Sequence, residues 1–241
     1  MLSRRALLPQ PHREQETPPA AGLVPPDFLA GETSLRRALR AARAVIARAA
    51  SEGHDWRDVI GGLRPITPRL WQQLDVRSKK RFVRHVGPYW DTHRHRAAPA
   101  IYRRIRGALD AGQLCTVPGR LVDIEAHEAQ RALVTWRPRG SHTPMAQAFA
   151  AVVNCTGPSS DLRRVADPLM RQMLEAGCVQ VDSLALGLTV DDDYRVLTAR
   201  GQSLHRIRYV GPLLKAQRWE ATAVPELRVH AQQVVEGILR G

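Results

Sequence analysis

Hydrophobic spacing changes from helical to strand-like near Gly112, and the change constrains the class of fold this chain can adopt. Before it, apolar residues recur at helical spacing. Leu35, Leu39, Ala42 and Ile46 share a helical face that Thr33 or Ser34 can cap. Arg36, Arg37, Arg40, Arg43 and Arg48 lie around that face. Asp55 can cap a short turn that ends at Gly61-Gly62. Thr67-Pro68 opens another helix, carrying Leu70, Trp71 and Leu74, with proline where its missing N–H costs nothing. Ser78 is the expected cap of a third, with Phe82 and Val86 buried. Pro99 opens a fourth, with Ile101, Ile105 and Leu109 on one face and Gly112 at its end.

After Gly112 the pattern is that of strands. Leu114–Val117, Leu121–Ile124 and Ala132–Trp136 read as short strands between polar turns. Ala148–Val153 is continuously apolar and stops at Asn154-Cys155-Thr156-Gly157-Pro158. That is the expected form of a buried strand opening into a glycine turn. Arg164–Ala176 reads as helix, and 181–200 as irregular and extended. Arg206–Val210 reads as a second buried strand, ending at Gly211-Pro212. Pro225 opens a last helix with Leu227, Val234 and Ile238 on its core face. The expected class is α/β: a helical unit plus a partial Rossmann-like sheet. The expected divisions are a Pro-rich lead-in at 1–32, a helical unit at 33–112, a strand-rich segment at 113–158 and a closing part at 159–241. A strand that ends in glycine and feeds a helix is where α/β folds place ligands. Neither a G-x-G-x-x-G nor a P-loop occurs in the 241 residues.

Charge narrows the function classes. The net charge is +13, but only Lys79, Lys80 and Lys215 among the 36 basic residues are lysine. An Arg-rich, Lys-poor balance follows from a GC-rich genome whatever the function, and no basic stripe is interleaved with aromatics for base stacking. Nucleic acid is therefore not the expected partner. No apolar run is long enough to span a bilayer. Ser3–Leu8 has the look of a twin-arginine signal, yet P-Q-P-H follows where such a signal needs an apolar core, so a cytoplasmic protein is expected. Cys115, Cys155 and Cys178 form no CxxC pair and are expected as buried, reduced thiols. His93 and His95, flanked by Arg94 and Arg96, have no carboxylate or cysteine cluster beyond Asp91, so no metal is expected there.

Four stretches carry a resemblance. V-V-N-C-T-G-P (Val152–Pro158) resembles the second flavin-domain motif of FAD/NAD(P)-binding oxidoreductases. R-Y-V-G-P-L-L-K-A-Q-R-W-E-A-T-A-V-P-E-L-R (Arg208–Arg228) resembles the closing motif of one two-dinucleotide-binding branch, which includes FAD-dependent urate hydroxylases. R-F-V-R-H-V-G-P-Y-W-D-T-H-R-H-R (Arg81–Arg96) and S-R-R-A-L-L-P-Q-P-H (Ser3–His12) are similar to the same branch, with Ala6 where the branch usually has glycine. The resemblance implies the C-terminal portion of an FAD- and NAD(P)H-dependent oxidoreductase, of flavin monooxygenase type, without either glycine-rich opening. An alternative is a non-enzymatic remnant that binds a protein or nucleic-acid partner through its basic helical unit.

The resemblance also implies a site. Thr156, Gly157, Pro158, Gly211, Pro212, Trp219, Thr222, Ala223, Val224 and Pro225 would face FAD, with Glu220 beside Trp219; core packing for Trp219 and a solvated Glu220 are the alternatives. Ser3, Arg4 and Arg5 would accommodate an NADP phosphate. No catalytic acid or base is implied. The two glycine turns are expected side by side, with the Pro225 helix aimed at the flavin. The chain alone is not expected to retain FAD, because the pyrophosphate cradle is missing. Bare strand edges make self-association an expectation.

Overall fold

A computed structural model describes residues 1–241 except 16, 19, 29–33, 158 and 241. Thr33 and Pro158 therefore lie outside the described residues. The chain is mixed α/β and runs β1 (Leu2–Ser3), α1 (Leu35–Ser51), α2 (Trp56–Leu63), α3 (Thr67–Gln73), α4 (Val76–Arg81), α5 (Gly87–Arg94), α6 (Pro99–Asp110), β2 (Val117–His127), β3 (Arg131–Pro138), β4 (Met145–Phe149), α7 (Pro168–Glu175), β5 (Arg195–Leu197), β6 (Ser203–Arg208) and α8 (Val224–Leu239). No helix among the described residues is long and apolar enough to cross a membrane. Two compact units form, each from two stretches of chain: Met1–Pro18 with His85–Gly157, and Pro19–Arg84 with Pro158–Gly241.

The helix starts follow side-chain chemistry. Ser34 caps α1 by accepting from the Arg37 N–H at 3.3 Å. Asp55 accepts from Arg57 N at 2.8 Å and starts α2. The α4 cap is Asp75, not Ser78: the Asp75 carboxylate accepts from Ser78 N at 2.6 Å, so the helix begins one turn earlier than expected. Asp167 likewise caps α7, which starts at Pro168 rather than Arg164; a separate 3-10 turn occupies Leu162–Arg164. Gly112 ends α6 with a φ of 68°, a left-handed conformation that glycine adopts without Cβ strain.

In the first unit the sheet order is β1-β2-β3-β4. β1 runs parallel to β2, pairing Leu2 with Val117 and Ser3 with Pro118. β2, β3 and β4 form an antiparallel meander, with a bulge in β2 between Leu121 and Asp123. Val134 and Trp136 of β3 alternate onto the buried face. Of the expected first strand, Leu114–Val117, only Val117 joins the ladder.

The expected buried strand at Ala148–Val153 is a correction. β4 ends at Phe149, and Val153 is 82% exposed. An apolar run of that kind is buried when strands flank it on both sides, whereas among the described residues β4 pairs only with β3. Cys115 and Cys155 are exposed and Cys178 is half-buried, against the expectation of three buried thiols.

The second unit has its own core of Leu162, Val179, Leu188, Val190, Tyr194, Val196, Leu214 and Ala221. Burying each large apolar side chain contributes about 1.5–3 kcal/mol. The expected buried strand at Arg206–Val210 is a second correction. β6 covers Ser203–Arg208, pairs antiparallel among the described residues with β5 alone and exposes His205, Arg206 and Ile207. Leu204 packs on the core and the other side of this two-stranded ribbon faces water.

Candidate functional site

The Gly211–Pro225 loop, which carries most of the residues implied to face FAD, lies wholly in the second unit. Gly211 has φ 154°, a backbone conformation that favours glycine. A Cβ there would sit 2.5 Å from the Tyr209 hydroxyl. Pro212 opens a 3-10 turn through Leu214. The loop is pinned from three sides. Leu188 N donates to Leu213 O at 3.1 Å. Gln217 acts as a surrogate strand: its Oε1 accepts from Val190 N and its Nε2 donates to Val190 O, both at 2.9 Å. Trp71 Nε1 donates to Ala216 O at 2.7 Å.

Trp219 is buried rather than open to a ligand. Its ring centroid lies 4.6 Å from Trp71 and 5.0 Å from Phe82, the latter edge-on. The ammonium of Lys215 sits 4.6 Å from the Trp219 centroid and that of Lys79 sits 5.4 Å from Trp71. Two of the three lysines therefore stand over this indole pair. Burial lowers the Lys79 pKa. Glu220 is also buried, close enough for its charge to favour the Arg64 cation.

Beyond this anchored stretch the loop opens. Thr222, Val224 and Pro225 are exposed and Ala223 is half-buried. Ala223 is the N-cap of α8, in extended conformation, with no side-chain hydrogen bond to the first turn. The first N–H groups of a helix lack intrahelical partners, and its N-terminus carries about half a positive charge. Glu226 adds a carboxylate to this first turn, but Arg64 matches it with a bidentate pair, Nε to Oε1 and Nη2 to Oε2, each 2.7 Å.

One turn further on, His230 packs against Tyr194, ring centroids 5.6 Å apart. The Tyr194 hydroxyl donates to Gln233 Oε1, and the Arg218 guanidinium lies 4.5 Å from the Tyr194 centroid. His230 Nδ1 is buried with no hydrogen-bond partner. Burial pushes the His230 pKa down, Arg218 pushes it further, and Glu226 opposes both. The unfolded chain then takes up the proton first. This contribution to stability is intact above the ordinary histidine range, about 6.5, and is lost as pH falls from there toward the folded-state value. We expect the urea midpoint to fall on acidification through this range, and less steeply in His230→Leu. Equal slopes in the two proteins would contradict the burial of His230.

Ser3, Arg4, Arg5, Thr156 and Gly157 belong to the first unit. Thr156 donates from N and Oγ1 to Asn154 Oδ1, at 3.0 and 2.8 Å, and is exposed. Gly157 has φ 74° and open space where a Cβ would stand. The turn at Thr156–Gly157 and the loop at Gly211–Pro225 therefore belong to different units. Ser3 ends the parallel strand β1, and Arg4 and Arg5 follow it. Ser3 Oγ accepts from Ala6 N at 2.9 Å, and the Arg5 guanidinium lies 6.0 Å from the Tyr89 centroid. His93 is on helix α5, where its Nδ1 meets Tyr89 O at 2.8 Å, and His95 caps that helix. Among the described residues no group of three His, Cys, Asp or Glu could hold a metal ion.

Sequence reading passed over Arg64, Arg218, Tyr194 and the Glu226–His230–Gln233 row. The row was accessible as a helical i, i+4, i+7 spacing. Arg64 was not, since 162 positions separate it from Glu226. Comparison with family models, curated proteins and solved structures finds no match to this chain.

Proposed function

We propose that this chain is the C-terminal, flavin-facing portion of an FAD- and NAD(P)H-dependent oxidoreductase, and that the α8 N-terminus meets the flavin ring. The observation that carries the reading is the uncapped, exposed start of α8 at Thr222–Pro225. It falls within the stretch that resembles the closing motif of two-dinucleotide-binding flavoproteins. Free N–H groups and a positive dipole end suit the negative charge that a flavin gains at N1 and O2 on reduction. The loop behind it, pinned by the hydrogen bonds of Trp71, Gln217 and Leu188, would hold that helix end in place. In the first unit, Ser3, Arg4 and Arg5 are the residues we assign to an NADP phosphate. When bound, the flavin would supply the redox chemistry; the chain's residues orient it and exclude water.

The test separates this role from a plain helix start. An aspartate at position 223 would accept from the Glu226 N–H, the Pro225 nitrogen carrying none, so Ala223→Asp should stabilise the chain by about 0.5–2 kcal/mol. The same carboxylate would repel a reduced flavin. In the chain extended by its upstream coding sequence and loaded with FAD, Ala223→Asp should lower the flavin midpoint potential by ~20 mV per kcal/mol of lost stabilisation. A stability gain with an unchanged potential would make α8 a structural helix only.

A further inference from the structure

Helix α1 carries five arginines and no acidic residue in its 17 positions. All five are exposed, while Val45 and Ala49 are buried. Arg48 is bonded to Leu23 O at 3.0 Å. Arg36, Arg40 and Arg43 make no such contact among the described residues, and they stand at i, i+4 and i+7. They line one solvent-facing stripe about 10 Å long at 1.5 Å per residue. Like charges at these spacings weaken a helix. The stripe is therefore unfavourable in the free chain and becomes favourable against a polyanion.

We propose that the Arg36–Arg40–Arg43 face of α1 binds the phosphate backbone of a nucleic-acid duplex, without sequence preference. Length and charge agree: one strand presents a phosphate about every 3.4 Å of axis, so ~10 Å spans about three of them. The chemistry of the face favours this partner over the other anionic surfaces. Its exposed residues other than arginine are Ala44, Ala47, Ala50 and Ser51, so it offers no aromatic or large aliphatic anchor for a protein interface. The apolar side of α1 is turned into its own unit, which removes the face an interfacial membrane helix needs. Phosphate-backbone binding requires neither, and it requires no stacking aromatics. Guanidinium forks suit phosphate oxygens directly. This inference stands apart from the flavin reading.

The experiment is fluorescence anisotropy of a labelled DNA duplex, and of a shuffled-sequence duplex, titrated with the whole chain across a salt series. Equal affinity for the two duplexes is expected, with log K falling linearly with log salt. The triple variant Arg36→Gln, Arg40→Gln, Arg43→Gln should reduce the magnitude of that slope by about 2–3, near one unit per lost phosphate contact. The corresponding triple lysine variant should keep the slope. A charge-matched control, Arg171→Gln, Arg200→Gln, Arg206→Gln, changes exposed arginines off α1 and should leave it within about one unit. Circular dichroism checks that the variants stay folded. Equal slope losses in both glutamine triples would reduce the effect to bulk charge and overturn the proposal. So would absence of binding at low salt, or tighter binding to polyglutamate or anionic vesicles than to duplex.

Discussion

Replacing Gly187 by alanine should destabilise the second unit by about 3 kcal/mol or more. Asp182 holds this turn, its carboxylate accepting from Leu184 N at 2.6 Å and Leu186 N at 2.8 Å. The chain then passes through Gly187 at φ 151°, a region only glycine enters readily. A Cβ at this position would lie 1.9 Å from Leu213 O and 2.6 Å from Leu213 Cα. Both are backbone atoms, so no rotamer change relieves the clash. The strand of contacts that would yield is the one that pins the Gly211–Pro225 loop, beginning with Leu188 N to Leu213 O. Urea denaturation followed by far-ultraviolet circular dichroism measures the loss. A Gly187→Ala midpoint indistinguishable from the parent would contradict the close approach of the two loops.

Trp71→Ala should cost about 3–5 kcal/mol, the usual range for deleting a buried indole. The ring is 3% exposed, tilted against Trp219 and edge-on to Phe82. Its Nε1 also satisfies Ala216 O in a buried setting. Trp71→Phe separates the two contributions. It keeps most of the packing and orphans the carbonyl, so it should cost about 1–3 kcal/mol. The same denaturation experiment reads both variants. A cost below about 1 kcal/mol for Trp71→Ala would mean the ring cluster does not hold the loop.

How much of this was legible beforehand follows from the range of each interaction. Ser34 before α1, Asp55 before α2 and Gly112 after α6 were readable because their partners are two to four residues away, whereas the equally local Asp75 and Asp167 caps were masked by Ser78 and Arg164, which also look like helix starts. The β2–β3 strands were readable because alternation and a polar turn are local patterns. The Ala148–Val153 run was misread because composition records what a segment could bury, while burial depends on which strands sit beside it. Arg206–Val210 failed for the same reason, β5 being the sole partner of its strand among the described residues. The candidate site divides similarly. The uncapped α8 start is visible in Ala223-Val224-Pro225. The Arg64–Glu226 pair and the Trp71–Ala216 bond, formed across 162 and 145 positions, leave no local trace. Trp219 was assigned to the flavin by motif, but its neighbours in space are Trp71 and Phe82.

The flavin reading makes its sharpest demand on cofactor content. The chain carries the proposed ring-facing helix end but no glycine-rich pyrophosphate cradle in its 241 residues. The direct measurement is flavin stoichiometry by visible absorbance after gel filtration in excess FAD, for this chain alone and for the chain extended by its upstream coding sequence. The account predicts a colourless chain alone and about one FAD per extended chain. A stoichiometric yellow product from the 241-residue chain, or a colourless extended chain whose added sequence includes G-x-G-x-x-G, would contradict it.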